Sequence, residues 1–199
     1  MRLGIFGGAF DPIHNGHLLL AEQCREQCQL DEVWFVPTKI PPHKEAGSLS
    51  PDADRVEMLK LATAGRPKFV VSEIELNRTE VSWTVDTLKQ LRDERPDDEL
   101  FFLIGADSLR DFSTWKDPET IAELASVVAV NRGEASLGEL TAGLNSELAA
   151  SVRLVTMPGI SISATDLRSR VSVGKSIRYL VPRAVEEFLL AQKLYRILE

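Results

Sequence analysis

Three histidines are the most informative candidates for chemistry in this chain of 199 residues, and all of them lie in its first quarter. His14 and His17 stand three residues apart shortly after a Gly-Gly pair, whereas His43 lies in a later proline-rich stretch. A helix that begins near Gly16 would direct its first N–H groups and the positive end of its dipole at an anion. If both histidines already lie on that helix, they share a face and can hold one phosphate together.

Two other interpretations of the histidine pair stay open at this point. An exposed or helix-capping role requires no ligand, and a metal site would use His14 and His17 with Asp11 as the third ligand. A metal-dependent hydrolase is therefore a competing function, recognisable by a bound transition metal and by activity without an acceptor. The run itself matches neither the dinucleotide fingerprint GxGxxG nor the phosphate loop GxxxxGK[ST].

Apolar runs alternate with helical patterns along the chain and assign the candidate residues to elements. Strands are predicted over 2–6, 32–36, 68–72, 100–104, 126–130 and 153–155, and helices from 16, over 51–65, over 82–94, near 107–112, after 117–118, from 137, over 164–173 and over 182–198. This alternation implies a doubly wound α/β fold with a mostly parallel sheet. We expect a single domain over 1–199 with a helical C-terminal part over about 160–199. Ligands bind at the carboxyl ends of the strands in this class.

The composition is that of an ordinary globular protein, with 44% hydrophobic residues, 27% charged residues and a net charge of −7. The acidic balance argues against a general nucleic-acid or anionic-membrane binder. Since no apolar stretch near Met1 is long enough for a signal or a membrane span, we expect a cytoplasmic protein. Cys24 and Cys28 are too few for a zinc set and are expected to be buried. The composition leaves a homo-oligomer open.

A second phosphate-binding pattern lies near the C-terminus, where residues 162–168 read ISATDLR. Ser163 is a predicted helix N-cap, which places Thr165 and Arg168 where a triphosphate can lie. Around it, residues 161–183 carry five basic residues against one acidic residue, a local positive field in an acidic chain. Together with the earlier run GGAFDPIHNGH, the pattern resembles the two signatures of the nucleotidyltransferase superfamily related to class I aminoacyl-tRNA synthetases.

Four further segments resemble one family within that superfamily, the nicotinate-mononucleotide adenylyltransferases. They are PPHK at 41–44, SWTVDTL at 82–88, GADSL at 105–109 followed by Trp115, and GKSIRYLVP at 174–182. The resemblance implies a Rossmann-like nucleotidyltransferase fold. It also implies transfer of the adenylyl group of ATP to nicotinate mononucleotide in NAD biosynthesis, with Mg²⁺ carried on the ATP phosphates and no metal ligand from the protein.

The resemblance also implies roles for individual residues. His14 and His17 are the catalytic candidates at the α-phosphate. The ATP-binding candidates are Gly7, Gly8, Ala9, Phe10, His14, His17, Ile162, Ser163, Thr165 and Arg168. The mononucleotide-binding candidates are Lys44, Thr84, Gly105, Asp107 and Trp115, with Asp11, His43 and Arg132 as further candidates. Trp115 would stack on the pyridine ring, main-chain N–H groups near Thr84 would bind its carboxylate, and Asp107 would either accept from a ribose hydroxyl or cap the following helix.

Three positions depart from the family pattern. Ala9 lacks the usual hydroxyl of the phosphate loop, Trp83 replaces a tyrosine, and Ala164 replaces the middle serine of ISST. The alternatives are therefore an adenylyltransferase for nicotinamide mononucleotide or phosphopantetheine, and a nucleotide-binding regulator with weakened catalysis.

Overall fold

The computed structural model of the chain describes residues 1–42, 49–131 and 137–196. The strands in these residues are β1 (Arg2–Gly8), β2 (Glu32–Pro37), β3 (Phe69–Val71), β4 (Glu99–Gly105), β5 (Ser126–Asn131) and β6 (Val152–Thr156). They form one sheet in the order β3-β2-β1-β4-β5-β6, and all neighbouring pairs are parallel. The predicted doubly wound parallel sheet is thus confirmed for the described part of the chain.

Helices cover both faces of this sheet. They are α1 (Asn15–Gln27), α2 (Asp52–Thr63), α3 (Thr84–Glu94), α4 (Ala106–Arg110), α5 (Pro118–Leu124), α6 (Leu137–Thr141), α7 (Ser146–Ser151), α8 (Ala164–Ser172) and α9 (Arg183–Ala191), with a 3₁₀ turn at Phe112–Thr114. Side chains alternate across each strand, so Phe101 and Leu103 of β4 pack into one buried cluster with α1, α2, α8 and α9. Phe102 and Ile104 pack into a second cluster with α3 and α5 on the opposite face.

Two predicted helices differ from the structure. The helix predicted from residue 137 is two helices, because Asn145 begins α7 by accepting a hydrogen bond from the Leu148 N–H at 2.9 Å. The helix predicted over 182–198 ends at Ala191, within the residues described to 196. Lys193 and Tyr195 have left-handed φ angles of 54° and 62°, which an α-helix cannot contain. The side chain of Tyr195 turns back towards the N-terminal loop instead.

The sheet reverses its strand order between β1 and β4, which are direct neighbours. Each of these strands ends in glycine, Gly8 and Gly105, and the chain leaves them for opposite faces of the sheet. A crevice therefore opens at their carboxyl ends, where ligands of such sheets bind.

Two smaller expectations concern burial and membranes. Cys24 and Cys28 are 0% and 1% exposed, so their predicted burial is confirmed. Among the helices of the described residues, none has the length and apolar character needed to cross a bilayer.

Candidate active site

The two histidines stack on each other at the carboxyl end of β1. Their ring centroids are 3.6 Å apart and the ring planes differ by 18°. His14 is the N-cap of α1 and has extended backbone angles, so the two residues do not share a helical face as expected. They meet instead because the His14 N–H donates to Nδ1 of His17 at 3.3 Å. The capping geometry of α1 thus brings together the two groups that the spacing selected.

Small and aromatic neighbours fix the two rings. A Cβ on Gly16 would lie 3.1 Å from the His14 ring, so a larger residue at position 16 would displace that ring. Phe10 presents its ring at 77° to that of His17, with centroids 5.2 Å apart. His14 is 2% exposed, whereas His17 is half-buried and faces the crevice. Of the two, His17 is the one placed to contact a ligand there.

Residues 7–17, here called the histidine loop, are held from outside by two guanidinium groups. Arg55 of α2 is fully buried and donates through Nη1 to the Ala9 carbonyl at 2.9 Å. Arg168 of α8 donates through Nη1 to the Asp11 carbonyl at 2.8 Å. The missing hydroxyl of Ala9 therefore leaves intact the main-chain contact that positions this part of the loop.

The side chain of Asp11 is also bound within the protein. Its carboxylate accepts from the Ser50 N–H at 3.1 Å and from the Tyr195 hydroxyl, and Asp11 is 2% exposed. Burial and the neighbouring Asp11 carboxylate raise the pKa of Tyr195, which keeps that phenol a donor. In the described residues, no group of three or more His, Cys, Asp or Glu side chains is arranged to hold a metal ion. Asp11 anchors the loop to distant segments.

The second predicted motif lies against the first. Ile162 is buried, and its Cβ lies 3.8 Å from the place that a Cβ on Gly16 would occupy. Ser163 is the N-cap of α8, as predicted, and accepts from the Asp166 N–H at 3.1 Å. Thr165 is exposed on the first turn, 3.3 Å from Nη2 of Arg168. The two segments, distant in sequence, therefore form one phosphate-facing region.

The predicted positive field over residues 161–183 is weaker than the sequence count suggests. Arg178 and Arg183 both pair with Glu186 of α9, at 2.8 and 3.1 Å. The acidic partner lies just beyond the counted segment, so the count overlooked it. Arg168 is the guanidinium of this stretch that reaches the histidine loop.

A cavity of about 400 Å³ opens beside the histidine loop, and we call it the acceptor cavity. Its walls include seven of the predicted site residues: Gly7, Gly8, His17, Thr84, Gly105, Asp107 and Trp115. A Cβ on Gly7 would meet no atom within 4 Å, so the glycine leaves open space at this wall. His17 belongs both to this cavity and to the stacked pair, and it joins the two regions.

Trp115 and Asp107 occupy the far side of the acceptor cavity. Trp115 is half-buried and meets Phe102 and Phe112 edge to face, with centroids 5.9 and 5.5 Å away. The alternative that Asp107 caps the following helix is wrong, because Gly105 is the N-cap of α4 and Asp107 lies inside the helix. Its carboxylate is 88% exposed and lies 3.5 Å from Arg110.

Three predicted site residues, His43, Lys44 and Arg132, lie outside the described residues. Conversely, the sequence analysis missed Glu75, which is 5% exposed and forms part of the cavity wall. It follows the carboxyl end of β3, a position that the strand-end rule could have selected.

Comparison with known proteins agrees with this arrangement. The cytidylyltransferase-like family model matches residues 5–170, which include both motifs. A relative from Thermomicrobium roseum, named "Probable nicotinate-nucleotide adenylyltransferase", is 47% identical over 100% of this chain and 93% of its own. A relative of the same name from Thermus thermophilus is 46% identical over 98% of this chain and 100% of its own.

The chain belongs to the cytidylyltransferase-like family, in its nicotinate-nucleotide adenylyltransferase branch. Among solved structures it resembles the Plasmodium falciparum nicotinic acid mononucleotide adenylyltransferase complexed with NaAD, with a TM-score of 0.79 and 19% identity. The match covers 98% of this chain and 97% of that one and concerns the fold. For a nucleotidyltransferase, the geometry divides into a histidine-bearing phosphate region and an adjoining cavity for the acceptor.

Proposed function

We propose that this protein transfers the adenylyl group of ATP to nicotinate mononucleotide, producing nicotinate adenine dinucleotide and pyrophosphate in NAD biosynthesis. Full-length similarity to nicotinate-nucleotide adenylyltransferases supports the reaction class. The observation that carries the proposal within this chain is the position of His17, which stacks on His14 and also faces the acceptor cavity. A group at that junction can contact the phosphorus atom that passes from one substrate to the other.

The chemistry requires positioning more than a strong base. The phosphate of the mononucleotide is already anionic near neutral pH, so it can attack the α-phosphorus of ATP in line while pyrophosphate leaves. The barrier comes from bringing two polyanions together and from the charge that develops on the α-phosphate. In this proposal His17, supported by His14 and by the N-terminus of α1, stabilises that charge.

The triphosphate would extend towards α8. Ser163 and Thr165 lie at the exposed N-terminal turn of this helix, where hydroxyl and N–H groups can meet the β- and γ-phosphates. Arg168 already uses one nitrogen on the Asp11 carbonyl, so in this proposal it contributes its charge and its second nitrogen. Phe10 and Ile162 are buried beside Gly16 and the histidines and would shape this region from behind. Mg²⁺ would neutralise the phosphates and would be bound chiefly by their oxygens.

The acceptor half of the proposal uses Trp115 and the start of α3. The pyridine ring would stack on the half-buried indole of Trp115. Its carboxylate would bind the first N–H groups of α3 near Thr84, where the N-cap Trp83 makes no side-chain capping bond within the described residues. Lys44 remains a proposed phosphate ligand of the mononucleotide, and a cytoplasmic location is part of the same proposal.

Pyrophosphate release tests the function directly. Purified protein is incubated with ATP and Mg²⁺ plus one acceptor at a time: nicotinate mononucleotide, nicotinamide mononucleotide or phosphopantetheine. We expect the highest kcat/KM with nicotinate mononucleotide and no release without an acceptor. Preference for phosphopantetheine, or ATP binding without any pyrophosphate, would replace the proposal by one of the alternative functions.

A further inference from the structure

Glu75 is a buried carboxylate in the wall of the acceptor cavity that the proposed chemistry leaves without a role. Its Oε1 atom accepts a hydrogen bond from the Thr87 hydroxyl at 2.8 Å. Thr87 lies on the first turns of α3, and Arg78 donates to the same hydroxyl oxygen. One side of the carboxylate is thereby fixed to the helix whose N-terminus faces the cavity.

The other side of the carboxylate lacks such a partner. Oε2 is inaccessible to solvent and has no hydrogen-bond partner among the described residues. Leaving a buried oxygen without a partner is unfavourable, and native proteins rarely do so without a functional reason. Since Glu75 borders the cavity together with Trp83 and Thr84, a molecule that fills the cavity can supply the missing hydrogen bond.

We propose that Glu75 is a specificity-determining residue, whose Oε2 atom forms a hydrogen bond with the substituent on the pyridine ring of the bound mononucleotide. This inference rests on the proposed function and extends it. A neutral Glu75 donates to a ring carboxylate, whereas an ionised Glu75 repels that carboxylate and accepts from the NH₂ of a ring carboxamide. The same side chain therefore favours the acid in one protonation state and the amide in the other.

The surroundings of Glu75 determine which state prevails. Burial raises the pKa of Glu75, and the hydrogen bond from Thr87 and the charge of Arg78 reduce that rise. The hydroxyls of Ser82 and Thr38 act on the pKa in the same direction as Thr87. Arg78 lies 3.8 Å from Oε1, and Lys39 binds the carbonyl of the adjacent Leu76 at 2.7 Å. The other charged or titratable groups that face the cavity or flank it are His17, Asp86, Asp107 and Lys116. Burial is the largest of these influences, and it favours the neutral, donating form.

The test compares two acceptors, so that every titration they share cancels. We would measure kcat/KM for nicotinate mononucleotide and for nicotinamide mononucleotide from pH 5.5 to pH 8.5 and take the acid-to-amide ratio. The two acceptors carry the same phosphate and meet the same histidines, so a pH-dependent ratio reports a group that senses the ring substituent. We expect the wild-type ratio to fall as pH rises, by up to about tenfold per pH unit once Glu75 ionises.

Variants of matched shape assign the effect. Glu75→Gln keeps a permanent N–H donor and cannot ionise, so its ratio should not vary with pH. Glu73→Gln changes an exposed carboxylate of the same segment, which lies 3.8 Å from Lys60, and should retain the wild-type slope. Thr87→Val removes the bond that stabilises the ionised form and should move the fall in the ratio to higher pH.

The outcomes separate this inference from the proposed function. A wild-type ratio that is constant with pH and unchanged in Glu75→Gln would overturn the specificity role while leaving adenylyl transfer to nicotinate mononucleotide intact. Equal losses for both acceptors in folded Glu75→Gln would also overturn it, since they indicate a purely structural residue. If neither mononucleotide is adenylylated by the wild-type protein, both proposals fail.

Discussion

The histidine loop and the acceptor cavity lie side by side but satisfy their polar groups in opposite ways. In the loop, the Ala9 and Asp11 carbonyls each receive a guanidinium, and the Asp11 carboxylate has two donors. In the cavity wall, Glu75 keeps one oxygen without a hydrogen bond from any described residue. The phosphate region is thus organised by the protein, and the acceptor region keeps polar groups for its ligand.

This difference corresponds to two different demands. Stabilising a developing charge works best when the donors are held in place before the reaction, because no reorganisation is then needed. Discrimination between similar acceptors depends on buried polar groups that only the correct ligand pairs. The comparison predicts that damage to the loop lowers turnover or stability, whereas damage to the cavity changes which acceptor is used.

The largest expected effect comes from removing the ring of His17. In His17→Ala, we expect kcat to fall by about a hundredfold to a thousandfold, because the charge on the α-phosphate loses a preorganised donor. The KM for ATP should change only a few-fold. Steady-state kinetics measure both. His17→Asn is the control for the cap, since its side-chain oxygen can still accept from the His14 N–H; turnover near the wild-type level in either variant would remove His17 from the mechanism.

The second effect concerns stability and the buried guanidinium that supports the loop. Arg55→Met keeps the length of the side chain but leaves the Ala9 and Ser50 carbonyls without this donor. We expect the free energy of unfolding to fall by about 3 kcal/mol, as is typical when a buried charged partner is removed. Arg66→Met removes an arginine with a 52% exposed side chain that pairs with Glu22 and should cost less than about 1 kcal/mol. Urea denaturation compares them, and equal losses would contradict a special role for Arg55.

The third effect should be confined to the acceptor. Trp115→Ala removes the flat surface of the cavity, and we expect the KM for nicotinate mononucleotide to rise about tenfold while the KM for ATP stays constant. Trp115→Phe preserves an aromatic ring and should lose less. A parallel rise in both KM values would mean that Trp115 supports the whole site rather than stacking on the pyridine ring.

The sequence predicted the sheet and the histidine site because both depend on local patterns. Apolar runs of strand length identified all six strands of the described residues, and the motif spacing identified His17. Arg55 was missed because its function is a contact with a loop 46 positions away along the chain. The end of α9 was missed for a related reason: Tyr195 leaves the helix to donate to Asp11, a contact that no helical periodicity records.

The smallest expected effect tests whether the free oxygen of Glu75 is costly. Burial raises the pKa of this carboxyl above its ordinary value of 4.5, so the folded protein binds the proton more tightly than the unfolded chain. The stability from that proton is complete below the unfolded pKa and is lost as pH rises through the folded pKa. Glu75→Gln cannot ionise and escapes this loss. Its free energy of unfolding, measured without ligands, should therefore increase relative to the wild type as pH rises from about 4 to 8. A constant difference would mean that the ionised carboxylate is fully compensated in the free protein, and the contrast between the two regions would disappear.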